Sequence, residues 1–213
     1  MKYLKLLFIA PLFLLMGAGQ NPGPAVTGAN VASGGGGYTD NFSGTSLSDN
    51  WTCYVTGLWV VPSVSSNQVY NKQGGGSNWT SMCGYTGGTF VTSQRSQFTD
   101  SSVGVAINNS GPCVNMNPAS GNGYCAPTDG GFIGKFTAGS YTSIGSYYSS
   151  APATGDIVRL TNTSGTIILF DVTTSTTMNT ATDSTYTGGV PGFIFAYGNQ
   201  YSKTSVISAW SGQ

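Results

Sequence analysis

Gly155-Asp-Ile-Val-Arg-Leu-Thr-Asn-Thr-Ser-Gly-Thr-Ile-Ile-Leu-Phe-Asp-Val172 decides the fold, because two β-rich runs flank an Asn162-Thr163-Ser164-Gly165 turn in the pattern of a hairpin. Successive side chains of a strand point to opposite sides, so Val158 and Leu160 share one face of the first run while Ile157 and Arg159 share the other. In the second run Ile168, Phe170 and Val172 form one apolar face, and Ile167 and Leu169 form the opposite one. A strand that is apolar on both faces calls for cover on both. The hairpin is therefore expected near the middle of a two-layer β-structure.

Composition extends this reading to the whole chain. The 213 residues include 32 glycines among many Thr, Ser, Asn and Tyr, with 12 tyrosines and 10 phenylalanines. Thr, Tyr, Val, Ile and Phe favour pleated surfaces, and Gly, Asn, Ser and Pro favour turns, so an all-β domain is expected. Short strand-like runs recur at Thr52 to Val61, Gln68 to Asn71, Trp79 to Tyr85, Thr89 to Thr92, Gln97 to Thr99 and Val103 to Ile107. They continue at Gly131 to Phe136, Tyr141 to Tyr148, Pro191 to Ala196 and Thr204 to Trp210. Such spacing predicts a sandwich, with no helix.

Three segments are expected. Met1 to Gly19 carries Lys2 and Lys5, an apolar run to Met16 and then small residues, the form of a secretory signal peptide. Residues 20–38 hold Asn-Pro-Gly-Pro and Ser33-Gly34-Gly35-Gly36-Gly37 with almost nothing to bury, and read as a flexible linker. Residues 39–213 form the folded domain, secreted or at the cell surface or in the periplasm, with no membrane insertion after cleavage. Cys53, Cys83, Cys113 and Cys125 make an even set in an exported chain, so two disulfides are expected. Three pairings are open from sequence. Cys113 with Cys125, stapling a Gly/Asn/Pro loop from Gly111 to Pro127, and Cys53 with Cys83, joining the first strands, are favoured. Each closure stabilises by roughly 3 kcal/mol on loop entropy.

The order of motifs resembles the bacterial and phage laminin-G-like, concanavalin A-like jelly-roll domains. The resemblance is carried by Asp40-Asn41-Phe42-Ser43-Gly44 followed by Leu47, Asn50 and Trp51, then by Gly134-Lys135-Phe136-Thr137-Ala138-Gly139 and Ala153-Thr154-Gly155-Asp156-Ile157-Val158-Arg159-Leu160. It closes on Asp183 to Gly192 and on Trp210-Ser211-Gly212, and so spans about Asp40 to Gln213. The resemblance implies two stacked antiparallel sheets and frequent roles in carbohydrate binding or adhesion, while the same fold carries glycoside hydrolases and lyases. This chain departs from the pattern at Asp171-Val172-Thr173-Thr174, where many members have an Asn-Gly turn.

Catalytic chemistry finds few parts here. The chain has no histidine, and all 7 of its acids are aspartates. A Ser-His-Asp or Cys-His nucleophile is excluded. The glucanase branch of the fold sets two glutamates around an aspartate on one strand face, and no glutamate exists to fill that pattern. Asp171, the one acid in a strong strand, lacks an acid two positions away, whereas a retaining pair stands roughly 5 Å apart. A histidine-free lyase arrangement would rest on Arg95 with Gln94 or Gln97. Balanced charge without a Lys/Arg cluster excludes nucleic acid as a partner. No metal or cofactor is expected: the cysteine spacings lack a close pair for zinc, and Asp100, Asp129 and Asn108 form no calcium loop.

Contact is the remaining function. The leading expectation is a non-catalytic module binding a polysaccharide or surface glycan through aromatic rings, with polar neighbours fixing hydroxyls. Its candidate ligand residues are Trp79, Tyr85, Arg95, Tyr147, Tyr148 and Asn199, with Tyr124, Tyr197, Tyr201 and Asn78 in similar polar surroundings. Adjacent Tyr147 and Tyr148 point to opposite faces of a strand, so one of them is expected to be exposed. The alternative is a structural or adhesive cell-surface or virion protein whose Thr/Ser/Asn face meets other copies and binds no sugar.

Overall fold

A computed structural model of the chain describes residues 37–56, 61–70, 79–101, 110–128, 131–149, 151–197 and 206–213. Among them are 15 strands and no helix. The eight-stranded sheet runs from β13 (Thr176–Thr182) through β12 (Thr166–Asp171), β11 (Ile157–Thr163), β6 (Gln94–Asp100), β15 (Val206–Gly212) and β4 (Gln68–Tyr70) to β3 (Ser63–Ser65), and β1 (Tyr38–Asp40) also pairs with β15. The seven-stranded sheet runs from β10 (Ser140–Tyr148) through β9 (Gly131–Thr137), β8 (Asn122–Cys125), β7 (Ser110–Asn117), β14 (Val190–Tyr197) and β5 (Trp79–Tyr85) to β2 (Trp51–Val55). All pairings are antiparallel, and the two sheets pack as the expected jelly-roll sandwich.

The central hairpin is β11 and β12, with Leu160 opposite Leu169. Val158, Leu160, Ile167 and Leu169 are fully buried against Val114, Tyr124 and Ile133 of the other sheet. Cover on the second face takes a different form from the one expected. Among the described residues no third layer covers it; Ile168 and Phe170 are half-buried, and the Arg159 guanidinium lies 6.0 Å from the centre of the Phe170 ring. A long cationic side chain on the neighbouring strand covers the ring with its stem and head.

The other half of the core is aromatic. Trp210 stacks on Tyr85 at 5.1 Å and meets Trp51 edge-on at 4.8 Å, while Phe193 lies 4.8 Å from Trp51. Each buried indole N–H has a partner: Trp51 Nε1 donates to Asp40 Oδ2 at 2.8 Å, and Trp210 Nε1 donates to Ser96 Oγ at 3.0 Å. Asp40 also accepts the Phe42 amide at 2.7 Å, which explains the Asp-x-Phe opening as a local clamp on the first tryptophan. Tyr38 belongs to this fold rather than to the linker, since its ring lies 5.4 Å from that of Tyr85.

Segment 111–127 corrects the sequence reading. It is a pair of strands, β7 and β8, inside the seven-stranded sheet, and Gly111 sits there because neighbouring chain comes too close for a larger residue. A Cβ on Gly111 would stand 2.2 Å from the Ala126 carbonyl oxygen. The favoured disulfides are both present, and each joins residues directly opposite in register, Cys113 with Cys125 and Cys53 with Cys83. They lie on opposite faces of one sheet, because Cys113 is paired with Gly192 and Cys83 with its neighbour Phe193. Thr89 to Thr92 is irregular rather than a strand, and β13, polar and Thr-rich, is an edge strand that apolar patterning missed. The expected signal peptide, most of the linker and the Val103 to Ile107 run lie outside the described residues.

Trp210→Ala is expected to destabilise the domain by about 3–5 kcal/mol in chemical denaturation, as for other buried large-to-small changes. Val91→Ser, at a side chain 67 % exposed, should stay within about 0.5 kcal/mol.

Candidate functional site

The outer face of the seven-stranded sheet is concave and partly filled. Met82, Ile194, Cys113, Cys125, Met116 and Phe136 form a buried cluster on that side, with Tyr54 and Val190 packed against it. Tyr54 belongs to β2, at one margin, yet its hydroxyl donates to the Ala138 carbonyl at 3.1 Å in the β9–β10 turn at the other. Its ring occupies the space where a Cβ on Gly121 or Gly139 would stand, at 2.5 and 2.7 Å. The sheet therefore curls until its margins meet over this cluster.

β9 and β10 carry a strip of aromatic rings on the same face. Phe132 and Phe136 alternate with inward-facing Ile133, and Tyr141 pairs with Phe136. Tyr141 lies 5.6 Å from Phe136 and passes over Gly134, where a Cβ would come within 2.6 Å of its ring. Beyond it Tyr147 stands edge-on to Phe132 at 5.5 Å. Between Ile144 and Tyr148 the register shifts around Gly145, whose φ of 76° suits glycine. The bulge shifts pairing by an even count, so alternation past it keeps Tyr147 outward and Tyr148 in the core. Tyr147 is 66 % and Tyr141 49 % exposed, large apolar faces that the fold leaves for contact.

At the turn end of this strip lies a cleft of about 450 Å³ between the β7–β8 turn and the segment before β14. Asn117, Pro118, Asn122, Tyr186 and Gly188 are among its lining residues. A polar cluster fixes its outer wall. Tyr124 donates to Asp183 Oδ1 at 2.6 Å and accepts the Tyr186 amide at 2.9 Å. Lys135 Nζ lies 2.9 Å from Asp183 Oδ2, and the Tyr186 hydroxyl bonds Thr137 Oγ1 at 2.7 Å. Burial opposes the charge on Asp183, but hydrogen bonds from Thr185, Tyr124 and Lys135 outweigh it and hold the carboxyl well below the usual range. Burial, followed by the hydrogen bond to Asp183, pushes the Tyr124 phenol up to about 12. Among the described residues no three Cys, Asp or other metal-ligating side chains come together.

The residues expected to bind ligand do not converge. Tyr147 is exposed on the strip, but Tyr148 is buried, its hydroxyl donating to the Pro127 carbonyl, and Tyr85 is 1 % exposed in the aromatic core. Neither of these two can offer a ring face. Tyr124, weighed beside them, is likewise buried. Arg95 lies on the opposite sheet, facing away from the strip. The Trp79 and Tyr197 side chains, and Asn78, Asn199 and Tyr201 altogether, lie outside the described residues. Of the residues in the lyase alternative, Gln94 points into the core, while Arg95 and Gln97 both point out from β6. Asp171 is a buried turn cap, accepting the Thr174 amide at 3.0 Å at the corner where the sequence departs from the Asn-Gly pattern. Phe132 and Tyr141 belong to the strip without a distinguishing sequence signal beyond Gly134, whose missing side chain admits the Tyr141 ring.

No family model matches the chain, and no curated protein matches it in sequence. Solved structures are similar in fold. Carbohydrate-binding module CBM66 from Bacillus subtilis is 16 % identical, over 76 % of this chain and 96 % of that one, with a TM-score of 0.52. The exoplasmic/lumenal domain of VIP36 in its Ca2+/Man-bound form is 9 % identical, over 82 % and 86 %, with a TM-score of 0.48. A glycoside hydrolase family protein from Mycobacterium thermorestibile is 10 % identical, over 83 % and 99 %, at 0.43. At these identities the likeness is one of architecture.

The shifted groups set a pH window for stability. A depressed carboxyl stabilises above the unfolded value of about 4, and that contribution fades as pH falls through it; a raised phenol stabilises below about 10 and is lost on the way to its folded value. Ultraviolet titration should therefore show one tyrosine ionising at about 12, and that step should vanish in Tyr124→Phe.

Proposed function

We propose that the domain is a non-catalytic carbohydrate-binding module of an exported protein, and that it takes a polysaccharide across the β9–β10 strip. The observation that carries this reading is the outward, braced pair Tyr141 and Tyr147 on one concave face. Sugar rings present C–H faces that stack on such aromatics, while the Asn117 and Asn122 amides and Thr185 at the adjoining cleft are suited to hydroxyls. The architecture shared with a module named for carbohydrate binding supports the same direction. Two disulfides suit an oxidising, extracellular setting. The absence of catalysis is part of the proposal: Asp183 and Tyr124 titrate far from neutrality and already have partners, so neither is poised as an acid or base near pH 7.

Pull-down and calorimetry against a panel of neutral polysaccharides test this reading. Saturable binding is expected, weakened about tenfold by Tyr147→Ala and comparably by Tyr141→Ala, with melting temperature unchanged. Binding unaffected by both substitutions rejects the strip as the site. No binding across the panel rejects the lectin reading in favour of adhesion between protein surfaces. Release of reducing ends or unsaturated sugars on incubation rejects the non-catalytic assignment.

A further inference from the structure

The opposite sheet carries a second feature with ligand chemistry. On the outer face of the eight-stranded sheet, β6 and β11 pair so that Gln97 faces Arg159 and Arg95 faces Thr161. The two arginines are diagonal neighbours, about 7–8 Å apart at Cβ, within easy mutual reach of their side chains. Arg159 is oriented from two directions. Its Nε donates to Gln97 Oε1 at 2.8 Å, and its guanidinium lies over Phe170. Its four terminal N–H groups remain for another acceptor. The Arg95 Nε is buried and has no hydrogen-bond partner.

Among the described residues no side-chain acid pairs with either arginine. The one ion pair among the described residues is Lys135 with Asp183, elsewhere in the fold, and the acids carried on β6 and β12, Asp100 and Asp171, are buried on the inner side. Burial first, and then repulsion from Arg95, lowers the Arg159 pKa from its ordinary value, so the two cations feel each other. A sheet that half-buries two neighbouring guanidinium groups, with no described acidic side chain paired to them, presents a field and a set of donors that fit an anion. The row around them is long. Ser211, Gln97, Arg159, Phe170 and Thr177 follow one another across five adjacent strands, and strands about 4.8 Å apart make that track roughly 19 Å, several sugar units in length.

We propose that this outer face binds the anionic groups, carboxylate or sulfate, of an acidic polysaccharide, with Arg95 and Arg159 as the anion clamp and Phe170 as the apolar floor beside them. That the anion is carried on a glycan rests on the reading of the domain as a carbohydrate-binding module; the clamp itself stands on a different sheet from the aromatic strip.

The test uses affinity electrophoresis of the intact protein through gels containing polygalacturonate, dextran sulfate or neutral dextran, at low and high salt. Retardation by the anionic polymers is expected, falling as salt rises. It should weaken roughly tenfold or more in Arg95→Gln and Arg159→Gln, less in Arg159→Lys, and remain in Tyr147→Ala. Stronger retardation by polygalacturonate assigns the carboxylate as the preferred group, and stronger retardation by dextran sulfate assigns the sulfate. Thermal melts accompany each variant, and if Arg159→Gln does not fold, Arg95→Gln and Arg159→Lys carry the comparison. No retardation by either anionic polymer, equal retardation by neutral dextran, or folded Gln variants that bind like the wild type would overturn the clamp. Loss of anionic binding in Tyr147→Ala would place it on the other sheet and overturn it too. Failure of the aromatic strip alone appears separately, as neutral-polysaccharide binding indifferent to Tyr141→Ala and Tyr147→Ala.

Discussion

Strict alternation of side chains along a pleated strand is the constraint from which the rest follows. Val158 and Leu160 must enter the space between the sheets, so Arg159 between them must leave it. The same step puts Phe98 inside and Gln97 outside on β6, and Ile133 inside with Phe132 and Phe136 outside on β9. Because one face of each sheet is spent on the common core, each sheet has a second face whose residues answer to other demands. On one sheet that face curls around its own apolar cluster and ends in an aromatic strip. On the other it carries the arginines.

The core is not uniformly apolar, and its polar part links the two sheets. Gln94 and Asn162, paired on the inner face, meet Asn115 from the opposite sheet. Gln94 Oε1 accepts the Asn115 amide at 2.8 Å, its Nε2 donates to Gly189 O at 2.7 Å, and Asn162 Nδ2 donates to Asn115 Oδ1 at 2.7 Å. All three residues are buried, and their mutual bonds offset the desolvation that an unpaired amide would suffer. Asn115 has a φ of 51° where β7 loses register with β8, so the network also supplies the hydrogen bonds that a regular ladder would have made. Through Gly189 it anchors the segment that walls the cleft.

Curling of the seven-stranded sheet depends on small residues as much as on large ones. Gly121 and Gly139 leave room for the Tyr54 ring, and Gly134 leaves room for Tyr141. Disulfides on both faces of the sheet tie β2 to β5 and β7 to β8, on either side of β14. The result is a concave surface whose centre is filled and whose β9–β10 margin presents rings.

The sequence by itself determined the class of fold, the hairpin and its two faces, and the exclusion of imidazole chemistry, because each of these follows from local alternation, turn residues or composition; the disulfide pairing it left open was decided by the register of β2 on β5 and of β7 on β8. It did not determine which aromatics would show. Alternation set Tyr147 and Tyr148 on opposite faces, but which of them is buried, and that Tyr85 is buried too, was decided only once Trp210 stacked on Tyr85 and the Tyr148 hydroxyl reached the Pro127 carbonyl. Nor did it reveal β7 and β8, since their Gly, Pro and Asn residues signal a loop; the close approach of neighbouring chain that Gly111 permits is visible only in the fold. The juxtaposition of Arg95 and Arg159, 64 positions apart, belongs to the tertiary structure alone: it depends on the register of β6 against β11, which is set by long-range packing of the inner face rather than by any residue near either arginine.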